Sequence, residues 1–194
     1  FKIRNAINIY YETNSQEDPT SNFQWEFVLV DDDQTKNAWC MPGGKIAFYS
    51  GILPILKNED GVASVMGHEI AHAVARHSAE RASTAMVTDL GIMALEQFVL
   101  GQRLPQAAGY VRQFGLDLPF NRKQESEADY LGLIFSSLAG YDINESYKVW
   151  ERMKEDMGGS GPSEFFSTHP SPDNRIRNLK EWIPIVSKQY PVIG

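Results

Sequence analysis

The segment His68-Glu69-Ile70-Ala71-His72 constrains this chain more than any other, because its two histidines can act together only on a helix. An α-helix turns once in 3.6 residues, so residues four apart leave the same face and both imidazoles reach one ion. At about 2.0–2.1 Å per nitrogen, such a pair supplies half of a tetrahedral zinc site. Glu69 lies roughly 100° around the same helix. It is set aside from the ligand direction but near enough to take a proton from a reacting water. The flanking Val62-Ala63-Ser64-Val65-Met66 and Ala71, Ala73 and Val74 are small or apolar and suit a buried helix. A buried helix carrying two hydrogen-bonded histidines is the plainer reading of the same residues, so the rest of the chain must decide.

A third ligand has to come from a later element. Glu125-Ser126-Glu127-Ala128-Asp129 is the best source, within a helical pattern from Asn121 to Ala139. Glu125 and Asp129 are four apart and project together. One can bind the metal while the other accepts the outward N–H of a ligand histidine and fixes its tautomer. Glu127 points roughly 200° away from Glu125 and reads as solvent-facing. His77 falls about 180° round the helix from His68, which excludes it from the ion and makes it a surface or interface residue.

The first third of the chain reads as strands. Trp25-Glu26-Phe27-Val28-Leu29-Val30 and Lys45-Ile46-Ala47-Phe48-Tyr49 are β-branched and aromatic, bounded by Asp31-Asp32-Asp33 and Pro42-Gly43-Gly44. The strand 45–49 is placed to pair with an extended substrate. Helices are expected at 61–82, 84–100, 105–115, 121–139, 143–157 and 172–188. Gly158 to Pro172 reads as a mobile loop carrying Phe165, Phe166 and His169. Strands first and helices after give one α+β domain, 1–194, predominantly helical with a small N-terminal sheet.

Bulk properties narrow the partners. With 25 acidic against 18 basic residues the formal charge is −7, and no basic stripe offers itself to nucleic acid. Cys40 is the only cysteine, which excludes an intramolecular disulfide and a cysteine-rich metal site. Ala82 to Leu100 is apolar but broken by Asp89 and Glu96, and reads as a soluble helix rather than a membrane span. Phe1 is not a natural start, so a processed or truncated chain is expected, and the absence of a signal or anchor from these residues carries little weight.

These residues resemble the CAAX-prenyl-protease-type zinc metallopeptidases, metallopeptidase family 48. The likeness runs from Asn37 to about Arg177. It rests on Asn37-Ala38-Trp39, Pro42-Gly43-Gly44-Lys45-Ile46, the HExxH pattern His68-Glu69-x-x-His72, Glu125-x-x-x-Asp129 and Ser167-Thr168-His169-Pro170 with Arg175. The resemblance implies a zincin-like fold and one Zn2+ per chain held by His68, His72 and Glu125. It implies Asp129 behind a ligand histidine, His169 approaching the metal, and Arg175 supporting the site. With no long hydrophobic helices, the chain looks like the soluble quality-control branch, HtpX- and BepA-like. That implies an endopeptidase with Glu69 as catalytic base, acting on proteins or peptides such as misfolded envelope proteins. His169 on its loop either occupies the open zinc position and holds the enzyme latent or, with Arg175, stabilises the oxyanion. The enzyme's expected place is the bacterial periplasm, with peripheral membrane association through a missing anchor. A zinc-binding chaperone and a zinc hydrolase of small molecules or lipids are the competing classes.

Overall fold

The computed structural model describes residues 1–81, 83–84, 121–160, 164–170 and 172–192. The expected helices 84–100 and 105–115, and the stretch Ala82 to Leu100, lie outside the described residues but for 83 and 84.

The chain opens with a helix, α1 (Lys2–Thr13), in a region where strands are predicted. Its buried residues Ile3, Ala6 and Ile7, with Tyr10, repeat at helical spacing, and Tyr10 meets Phe135 edge-on at 5.8 Å. Three strands follow: β1 (Glu26–Val30), β2 (Ala38–Met41) and β3 (Lys45–Tyr49). Their order is β1-β3-β2, with β1 parallel and β2 antiparallel to β3. The strand 45–49 is therefore central, and both of its edges are hydrogen-bonded within the sheet. It cannot pair with a substrate as predicted, because an added strand needs an open edge.

The remaining described elements are α2 (Leu53–Leu56), α3 (Glu59–Val74), α4 (Arg122–Leu138), α5 (Glu145–Ser160), α6 (Glu164–Thr168) and α7 (Pro172–Gln189). A small sheet among helices makes this an α+β, zincin-like fold. One core joins Ile7 of α1, Phe48 of β3, Leu56 of α2, Phe135 of α4, Val149 of α5 and Val186 of α7. The predicted mobile loop is largely helical: α5 runs through Gly158 and Gly159 to Ser160, and α6 begins four residues later. Helix α3 is shorter than predicted. It stops at Val74, and Arg76 turns the chain with φ 58° before residues 77–81 become helical again.

Asn58 starts α3 by accepting a hydrogen bond from Gly61 N at 2.9 Å, and Asn121 starts α4 through a capping box with Gln124. The two helices then cross almost backbone to backbone. A Cβ on Gly132 would stand 2.9 Å from His68 N, and one on Gly67 would stand 3.0 Å from Gly132 O. This contact sets the histidine helix against the acidic helix. Gly132→Ala is expected to cost about 1–3 kcal/mol, because the methyl meets backbone that cannot rotate away. Urea unfolding reads it, and an unchanged midpoint would show that the helices separate freely.

Candidate metal centre

Three elements bring their polar residues to one buried point. The C-terminal half of α3 carries His68, Glu69 and His72, the N-terminal half of α4 carries Glu125 and Asp129, and His169 follows α6 directly. His169 N donates to Phe165 O at 2.9 Å, and its ring stacks on buried Phe165 with centroids 4.5 Å apart. All six residues are at most 4% exposed.

One ligand atom from each of His68, His72, Glu125 and His169 falls within 4.8 Å of the others. His68 Nε2 is 3.1 Å from His72 Nε2 and 3.3 Å from His169 Nδ1. Glu125 Oε1 is 3.3 Å from His72 Nε2 and 3.0 Å from His169 Nδ1. A tetrahedron with bonds of about 2.0–2.1 Å has edges of about 3.3–3.4 Å, so these spacings fit a zinc ion. The protonation chemistry agrees. His68 Nδ1 lies 3.0 Å from Asp129 Oδ1 and His72 Nδ1 lies 2.9 Å from His77 Nδ1. With their protons on those outward nitrogens, both rings turn lone pairs toward each other, an arrangement a cation resolves.

The charges suit the same purpose. Burial, followed by the nearby Arg175 charge, pushes the His68 imidazole down to about 4. Burial also holds His72 well below its ordinary value. Glu125 is buried, which opposes ionisation, but Arg175 and His169 prevail and hold its carboxyl far below the usual range. Two neutral imidazoles and one carboxylate are the forms a divalent ion binds. Burial pushes the Glu69 carboxyl up to about 7. Among the described residues its Oε1 accepts no hydrogen bond, although His169 Nε2 stands 3.3 Å away. A buried carboxylate oxygen in that state can accept a proton from a donor such as water.

Arg175, one turn into α7, ties the acidic helix down. Its Nε and Nη2 donate to the two Asp129 oxygens at 2.7 and 2.5 Å, and Nη1 lies 2.5 Å from Glu125 Oε2. That last contact is an ion pair of poor hydrogen-bond direction, since among the described residues neither atom makes a well-aligned bond. The guanidinium also lies on the Trp150 ring, 3.6 Å from its centroid.

The predicted site residues His68, Glu69, His72, Glu125, Asp129, His169 and Arg175 thus come together. Glu127 faces outward as predicted, its side chain half exposed. His77 does not: it is buried against His72, because the turn at Arg76 breaks the helical extrapolation that sent it to the opposite face. Trp150 carries no sequence signal, since a lone aromatic on a helix reads as core.

The model of Peptidase family M48 matches residues 10–183. "Mitochondrial metalloendopeptidase OMA1" of Schizosaccharomyces pombe is 45% identical over 166 residues, covering 84% of this chain and 48% of that protein. The protein of the same name from Saccharomyces cerevisiae is 38% identical over 182 residues, covering 86% of this chain and 49% of its own length. "Putative beta-barrel assembly-enhancing protease" of Vibrio cholerae is 31% identical over 172 residues, covering 82% of this chain and 34% of that protein. The chain spans about half the length of the two yeast relatives. The predicted bacterial periplasm is overturned by them: the more similar relatives are mitochondrial proteins of eukaryotes.

Proposed function

The chain belongs to Peptidase family M48, and from that premise we propose that residues 1–194 form one catalytic domain of a zinc-dependent metalloendopeptidase working in mitochondria. The observation that carries this reading is the convergence of His68, His72, Glu125 and His169, one ligand atom from each within 4.8 Å of the others, beside the buried Glu69 carboxyl. Zinc held there by His68, His72 and Glu125 would supply a Lewis acid that polarises the scissile carbonyl and acidifies water.

The chain's own residues do the rest. Glu69 takes a proton from the attacking water and returns it to the leaving amine, a task suited to a carboxyl held near neutrality. Asp129 keeps the His68 proton on Nδ1, and Arg175 holds Asp129 and Glu125 in place. An extended protein or peptide substrate would pair with β2, an edge strand of the sheet that packs on α3. The mitochondrial placement is supported by the names of the yeast relatives. A role in protein quality control belongs to the same proposal, supported by the assembly-enhancing protease of Vibrio cholerae. Casein cleavage by wild type, lost on chelation and in Glu69→Gln, tests the activity.

Latency through His169 is part of this reading. Its Nδ1 stands among the ligand atoms, where a fourth protein ligand would take the position a water needs. His169→Ala is therefore expected to raise casein cleavage severalfold with zinc content unchanged. A fall in kcat at constant zinc would make His169 a stabiliser of the transition state instead.

A further inference from the structure

His77 is buried beside the metal centre, yet nothing in the proposed hydrolysis uses it. We propose that His77 is a positioning residue, which accepts the Nδ1–H of His72 and so fixes that ligand's tautomer and ring angle. The inference rests on His72 being a zinc ligand, as argued above.

The His72 ring has two ends with different duties. Nε2 faces the cluster, 3.1 Å from His68 Nε2 and 3.3 Å from Glu125 Oε1. A neutral imidazole that offers Nε2 to a cation carries its proton on Nδ1. That proton points at His77 Nδ1, 2.9 Å away. It is accepted only if His77 Nδ1 holds a lone pair, which places the His77 proton on Nε2. This nitrogen lies 3.4 Å from Glu127 Oε2, a carboxylate reaching in from the half-exposed side of α4. One run of donors and acceptors, His72 to His77 to Glu127, then sets both tautomers with no choice left open.

The backbone supports the same conclusion. His77 reaches His72, five residues back, only because Arg76 takes a left-handed φ of 58°. Such a conformation is unfavourable for a residue with a Cβ and persists where surrounding contacts hold it. Ala75 N donates to Ala71 O at 2.9 Å and Arg76 N to Ala73 O at 3.2 Å, closing the turn under the ring. The two histidine ligands are thus held differently. His68 leans on a carboxylate clamped by Arg175, whereas His72 leans on a second imidazole.

The test is zinc affinity of the full chain, by chelator competition, in His77→Phe, His77→Gln and His72→Phe. A group behind a metal-bound histidine typically contributes about 10–100-fold. His77→Phe is expected to weaken zinc by that factor, and His77→Gln, whose carbonyl can accept the proton, to stay within about threefold. A merely structural His77 would lower the melting temperature of both metal-free variants and leave zinc affinity intact, which would overturn the proposal. Nitrogen-15 spectra of zinc-loaded wild type give a check independent of variant folding: the expected His77 tautomer is Nε2–H, and Nδ1–H would overturn it. Wild-type affinity in His72→Phe would instead defeat the metal-site reading itself. Lost zinc in His72→Phe with unchanged zinc in His77→Phe would defeat this inference alone.

Discussion

Glu69→Gln is expected to lower kcat by about 10²–10⁴ while zinc content and fold stay as in wild type. The substitution keeps the shape of the side chain and removes only its ability to take a proton. Glu69 is one residue from a proposed ligand, yet its Oε1 looks toward His169 Nε2 at 3.3 Å and lies outside the four-atom cluster. Metal binding should therefore be untouched. Because proton transfer occurs in the transition state and not in binding, KM should change little. The loss corresponds to about 2.7–5.5 kcal/mol of barrier. Casein or peptide cleavage, with zinc measured on the same preparation, gives the answer. Near wild-type turnover would sink the mechanism.

Glu125→Ala should be the most damaging change to the metal centre. Glu125 meets His72, His169 and Arg175 at once. Zinc affinity is expected to fall by more than the about 10–100-fold typical of a group behind a ligand, since a ligand itself is lost. Metal-free stability should fall too, because Arg175 Nη1 is left facing no charge in a buried site. Breaking a buried ion pair costs about 3–5 kcal/mol, and the lower end applies while Asp129 still holds Nε and Nη2. Urea unfolding of the metal-free protein isolates that part from the loss of zinc. Stoichiometric zinc at wild-type affinity would remove Glu125 from the site.

The ligands and the base were legible because their spacing is a property of one helix. His68 and His72 share a face whatever the helix packs against, and Glu125 and Asp129 obey the same rule on another helix. The strands at 26–30 and 45–49 were legible for a similar local reason, their β-branched and aromatic composition. His169 and Arg175 are different. They lie 101 and 107 residues beyond His68, and no periodicity spans such a gap. Only the resemblance of Ser167-Thr168-His169-Pro170 and Arg175 to a known family carried them.

Elsewhere tertiary context overrides local pattern. A straight helix through Arg76 would put His77 on the far side, but one left-handed residue, with no glycine to announce it, turns it against His72. The glycines at 158 and 159 read as a loop, yet α5 continues across them, since a glycine weakens a helix by only about 1 kcal/mol relative to alanine. The strand 45–49 was correctly placed in sequence, but its position between β1 and β2 follows from pairing partners that its own residues do not specify. The sequence by itself determined the donor atoms and the faces they leave, because those depend on backbone geometry within one element. Only the tertiary structure decided which faces meet. That depended on the close crossing at Gly67 and Gly132 and on the Arg175 clamp, contacts between residues far apart in the chain, and on the turn at Arg76, a local conformation that no residue pattern announces.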